Sequence, residues 1–92
     1  MPYVPQSQRD ELDVLVDNLI VRLGQMERDR PGTTAGNLNY IFTKLLLASM
    51  EPMCYEALNR AQGVLQCCGL ELYRRFGAPY EDQKITQNGD VK

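Results

Sequence analysis

The stretch MCYEALNRAQGVLQCCGLELYRRF, residues 53–76, decides the fold. Within it Leu58, Ala61, Leu65, Cys68 and Leu72 alternate steps of three and four. That is the spacing of an apolar seam along one side of an α-helix that faces another helix. Gly77 reads as the C-cap of this helix, and Pro79 as the residue that bars its continuation. At ~1.5 Å per residue the helix is ~35 Å long, whereas a monomeric globule of this size has a radius of gyration of only ~12 Å. A helix of that length overhangs a single-chain core, so a dimer or larger assembly is expected. Gly63 and Gly69 each cost about 1 kcal/mol relative to Ala inside a helix; close helix–helix approach is the structural reason to keep them.

Working outward, the same periodicity predicts two shorter helices. The first covers about residues 8–28, with Ser7 as N-cap and Asp10 three residues on. Leu12, Leu15, Leu19, Leu23 and Met26 form its apolar stripe, which Val14, Val16, Ile20 and Val21 widen. Asp29-Arg30-Pro31-Gly32 ends it, because Pro31 cannot continue a helix and Gly32 favours a turn. The second helix covers about residues 36–50, with Leu38, Ile41, Phe42 and Leu45 on one face and Glu51-Pro52 as its stop. Residues 77–92 remain as a tail. Tyr80, Ile85 and Val91 mark that tail as a docked segment rather than a free one. The prediction is a single all-α domain of three helices with a long third helix and an ordered C-terminal tail, oligomeric in solution.

Ninety-two residues bury only ~60–65% of the unfolded surface, so the core of one copy is modest. The apolar fraction of 43% is that of a globular chain, which excludes disorder over the whole length. A net charge of −2 and a pI near 5.0 argue against a general nucleic-acid binder. No apolar run approaches the length of a membrane span. Met1-Pro2-Tyr3-Val4-Pro5-Gln6 lacks the basic-then-apolar pattern of a secretory signal. Cys54, Cys67 and Cys68 are an odd set without framework spacing, read as reduced thiols in the cytoplasm.

Histidine is absent, which removes Ser–His and Cys–His nucleophile pairs and the commonest metal ligand. No Cys-x-x-Cys pair, Walker-type loop or Gly-x-Gly-x-x-Gly is present. No enzyme, no cofactor and no metal site is expected. Two regions stand out instead. From Gly32 to Lys44, a Gly- and Thr-rich loop feeds a helix N-terminus, whose free N–H groups can hold an anion; Asn39, Tyr40 and Lys44 follow. The plain alternative is an interhelical loop with Thr34 as cap and Tyr40 as packing. From Glu71 to Asp82, Tyr73, Arg74, Arg75 and Tyr80 offer guanidinium forks for phosphate and aromatic faces for bases. The plain alternative is that Arg74 and Arg75 neutralise a helix end and pair with Glu71 while the tyrosines pack the tail. Arg60, with Tyr55, Asn59, Gln62 and Gln66, gives the third helix a polar face.

Gly36-Asn37-Leu38-Asn39-Tyr40 with Thr43, Gly63-Val64-Leu65 with Cys67, Glu71 to Arg75, Ala78 to Asp82, Lys84-Ile85 and Asn88 to Val91 together resemble a family of small phage and bacterial proteins of unknown function. The resemblance covers about the last 60 residues. The chain departs from the family's pattern at Asn37 and Gln66, where an acidic residue is usual, and at Lys92, where an aromatic is. The resemblance supplies no catalytic residues. Its phage setting suggests, by analogy, a small helical oligomer that sequesters a nucleotide-derived immune signal in the host cytoplasm without cleaving it. Under that expectation Asn39, Tyr40, Lys44, Arg60, Tyr73, Arg74, Arg75 and Tyr80 contact the ligand, and neither a nucleic-acid polymer nor a membrane is a partner. The alternative from another class is a protein-binding adaptor or inhibitor using Val14 and Val21. A third is a hydrolase using Glu81, Asp82 or another carboxylate.

Overall fold

The computed structural model describes residues 4–92; Met1 to Tyr3, the start of the segment read above for a secretory signal, lie outside the described residues. The helices are α1 (Gln6–Asp29), α2 (Thr34–Ser49), α3 (Tyr55–Leu72) and α4 (Ala78–Asn88), with a π-helical stretch, Tyr73–Gly77, joining the last two without a break. No strand occurs among the described residues, as the periodicity predicted. The chain divides into two compact units, one ending at Pro52 and the other running from Met53 to Lys92.

The first unit is a helical hairpin. α1 begins two residues earlier than predicted, and Pro5 rather than Ser7 is its N-cap, with no side-chain cap. Pro5 supplies a carbonyl to Gln8 and Arg9 N–H at 3.0 Å, so its lack of an N–H costs nothing there. The Arg9 side chain reaches back to the Val4 carbonyl at 2.8 Å. The stop at Asp29 lies where Pro31-Gly32 placed it, and Gly32 takes a positive φ of 88°, a conformation that favours glycine. Half-buried residues of α1 appear only near the turn, at Leu23, Gly24, Gln25 and Glu27; every residue from 4 to 22 is exposed. Leu12, Leu15 and Leu19 therefore line a face that the rest of the hairpin leaves exposed.

The second unit corrects the sequence-based expectation. The helix does not end at Phe76: it continues through Gly77 and Pro79 to Asn88, so the predicted tail is largely helix. Gly77 has a helical φ of −68°, while Gly89, with φ 88°, is the residue that ends the run. The π stretch explains the tolerance of Pro79. In a regular α-helix its ring would press on the carbonyl four residues back, and its missing N–H would break the ladder. Here the Ala78 N–H bonds the Tyr73 carbonyl across the wider ring, and regular α-helix restarts at Ala78. Pro79 then stands in a new first turn, where proline is accepted.

The wide turn also resets the seam. Continued past Leu72, the three-four alternation would bring Arg75 and Pro79 onto the apolar side. One extra residue in the turn brings Phe76 and Tyr80 there instead, and both share a groove with Leu72. Ala57 and Ala61 are buried, yet Leu65, Leu72, Phe76 and Tyr80 stay exposed. Tyr80, Ile85 and Val91 do not dock the tail, being 58%, 42% and 100% exposed. Gly63 and Gly69 have open space where a Cβ would stand, so close approach within the chain is not their reason. No helix among the described residues is long and apolar enough to cross a membrane.

Candidate functional site

The loop read as an anion site is occupied by the chain itself. Glu27, on the last turns of α1, turns its carboxylate onto the start of α2. Oε2 accepts from the Gly32 N–H at 2.6 Å, and Oε1 accepts from the Thr34 N–H at 3.1 Å and the Thr34 hydroxyl at 2.6 Å. A carboxylate facing the free N–H groups of a helix N-terminus is the arrangement such a terminus favours. These bonds, led by the Thr34 hydroxyl, hold the Glu27 carboxyl below its ordinary value. Thr34 is thus not the cap: Thr33 stands at that position without a side-chain bond to the backbone N–H groups, and Glu27 does the capping. A phosphate would have to displace Glu27 to sit there.

Of the residues assigned to that region, Asn39 and Tyr40 are exposed on α2, and the Lys44 ammonium lies 5.7 Å from the centroid of the Tyr40 ring. That is within cation–π range. One turn of helix separates the two, so the pair forms from local geometry alone.

The second unit brings several predicted residues together. Tyr73 and Tyr80 line one open groove with Gly69, Leu72, Phe76 and Gly77, of about 470 Å³ and almost wholly apolar. The Tyr73 ring lies flat along the helix over Gly77; a Cβ there would come within 2.8 Å of its Cδ2 atom. Gly77 is a glycine because an aromatic ring rests on it, not because the chain must turn. From this position the Tyr73 hydroxyl bonds the Glu81 carboxylate, which raises the tyrosine's pKa above the ordinary phenol value of 10.0. Glu81, one of the carboxylates considered for hydrolysis, is thus engaged by Tyr73.

Cations flank the groove. The Lys84 ammonium sits 5.5 Å from the Tyr80 centroid and the Arg75 guanidinium 5.5 Å from that of Phe76. Arg74 Nη2 donates to both Glu71 oxygens at 2.9 Å, the pairing that the plain reading of this segment anticipated. Arg60 lies thirteen residues before Tyr73 on the same helix, ~20 Å away along its axis, and does not join the groove. Sequence reasoning missed Glu27, Phe76, Gly77 and Lys84. The steps of four from Tyr73 to Gly77 to Glu81, and from Tyr80 to Lys84, were the available signal.

The chain belongs to the family described as Domain of unknown function (DUF6899), which matches residues 1–91. No curated protein and no solved structure is significantly similar to it.

Proposed function

We propose that this chain is a non-catalytic binding protein that takes up a small, anionic, nucleotide-like ligand and holds it intact. The observation that carries this reading is the groove from Gly69 to Tyr80. Its floor is bare at Gly69, its walls are aromatic, and Arg75 and Lys84 sit over two of its rings, with Arg74 held on Glu71 next to Tyr73 in the chain. Flat rings stack on aromatic walls and guanidinium forks hold phosphate oxygens, so a base attached to a phosphate matches both halves. The volume lies in the ~300–1,000 Å³ range of small-ligand sites, and its openness leaves room for a second subunit to complete it. Asn39, Tyr40 and Lys44 on α2 repeat the aromatic-plus-cation pattern on a smaller scale. The resemblance to phage and bacterial proteins makes cyclic dinucleotides, cyclic oligonucleotides and cyclic ADP-ribose isomers the first ligands to try, with the protein acting as a cytoplasmic sponge.

Calorimetric titration against these compounds at low and high salt tests the proposal. Binding is expected to weaken with salt, and the ligand should be recovered unchanged. The Arg74→Ala/Arg75→Ala double variant should lose about tenfold or more in affinity, roughly 1.4 kcal/mol. Undiminished binding by that variant would remove the arginines from the site, and product formation would replace sequestration by catalysis.

A second reading, a protein-binding adaptor or inhibitor, is supported by Val14 and Val21, 66% and 58% exposed on α1. One stoichiometric protein partner, lost on Val14→Asp/Val21→Asp, together with no ligand-induced thermal shift, would favour it.

A further inference from the structure

The apolar stripe of α1 is solvent-exposed: Leu12, Leu15, Leu19 and Met26 are 41–65% exposed. A stable interface takes only ~800 Å² from each partner. The longest uncovered stretch is α1 from Gln6 to Arg22, and a helix this bare is marginal in water without tertiary cover.

The stripe of α1 has a particular symmetry. Leu12, Leu15, Leu19, Leu23 and Met26 are spaced three, four, four and three. The pattern reads the same in both directions from Leu19. At ~100° per residue all five fall within ~40° of one line along the helix. A two-fold interface requires a surface complementary to itself. For two antiparallel helices crossing at their midpoints, each residue before the midpoint meets its mirror position after it. Leu12 then meets Met26 of the second copy, Leu15 meets Leu23, and Leu19 meets its own equivalent.

We infer that α1 pairs antiparallel with α1 of a second copy of this chain, on a two-fold axis passing Leu19. A lipid surface is the wrong occupant, because Asp10, Glu11, Asp13 and Asp17 surround the first half of the stripe with only Arg9 to offset them, and anionic headgroups repel such a helix. Val14 and Val21 lie on the opposite side of α1, as does none of the stripe. The pairing does not depend on the identity of any ligand.

Site-directed crosslinking of the full-length chain tests this, in a Cys54→Ser/Cys67→Ser/Cys68→Ser background. The Leu19→Cys variant should form a disulfide-linked dimer on mild oxidation. The Leu12→Cys variant alone should not, because its two equivalents stand ~21 Å apart along the pair. Mixed with the Met26→Cys variant, it should give a mixed crosslink. Light scattering should show the parent protein as a dimer or a multiple of it, and Leu15→Glu/Leu19→Glu should lower that mass by half or more. Self-crosslinking at Leu12→Cys would show parallel pairing and overturn the inference, as would a monomeric parent protein or a Leu15→Glu/Leu19→Glu variant of unchanged mass. Circular dichroism of each variant separates lost pairing from lost helix, and the conservative cysteine variants carry the test if the glutamates unfold the chain.

Discussion

Two places in this chain carry the residues that ordinarily stop a helix, and they behave oppositely. Pro31-Gly32 separates α1 from α2, whereas Gly77 and Pro79 lie inside a helix that runs from Tyr55 to Asn88. The difference lies in where the displaced backbone groups find partners. At the first site Gly32 takes a positive φ, and the exposed N–H groups of the new helix are met by Glu27. At the second the π stretch gives the Ala78 N–H a carbonyl and sets Pro79 in a fresh first turn. A glutamate completes each solution, Glu27 on backbone N–H groups and Glu81 on a tyrosine hydroxyl. Helix breakers therefore act by what they leave unbonded, and a local partner can answer either way.

The contrast can be broken most severely at Glu27. Glu27→Ala should open the hairpin more than any other single change considered, seen as a lower thermal midpoint and lost protection of the Gly32 and Thr34 amides in hydrogen exchange. Glu27→Gln should keep part of the contact but remove its pH dependence. Because the folded-state pKa lies below the ordinary 4.5, the carboxylate's contribution is present above pH 4.5 and is lost as pH falls through the depressed value. The parent protein should thus weaken on acidification below 4.5 more than Glu27→Gln does, as read by denaturant midpoints across that range.

Gly32→Ala comes next. Its φ of 88° is unfavourable for a side chain by roughly 1–2 kcal/mol, which chemical denaturation can resolve. Gly77→Ala should do much less to stability. Alanine gains about 1 kcal/mol of helix propensity, offset by pushing the Tyr73 ring away. Its signature is spectroscopic: tyrosinate absorbance should show one tyrosine titrating closer to 10.0 once Tyr73 leaves Glu81. In the parent protein the Tyr73–Glu81 contribution is present below pH 10.0 and is lost as pH rises through the elevated value. Arg74→Ala, removing an exposed pair with Glu71, should cost no more than about 0.5 kcal/mol. That small effect makes the arginine a clean probe of ligand binding.

The helices and the first turn were legible because Leu12 to Met26 and Leu58 to Leu72 are strictly periodic, and because Pro31 and Gly32 agree with each other. The continuation past Phe76 was not legible. Gly77 and Pro79 carry the same letters in a cap and in a wide turn, and only the ring lying over Gly77 tells them apart. Tyr73 and Tyr80 were grouped by closeness in the sequence, with Tyr80 in the tail; that both stand on one continuous helix was not legible. The occupation of the α2 N-terminus by Glu27 did not follow, because it depends on how the turn folds back rather than on either helix alone. Periodicity reports faces; it does not report which group fills a terminus.

The π stretch has a consequence for how this helix can change in length. Removing one amino acid between Tyr73 and Gly77 would leave a regular ladder and keep the faces on both sides in line. That same ladder would then hold a proline in its interior, where it does not fit. The additional residue and Pro79 are a matched pair, so natural variants of this segment should gain or lose the two together.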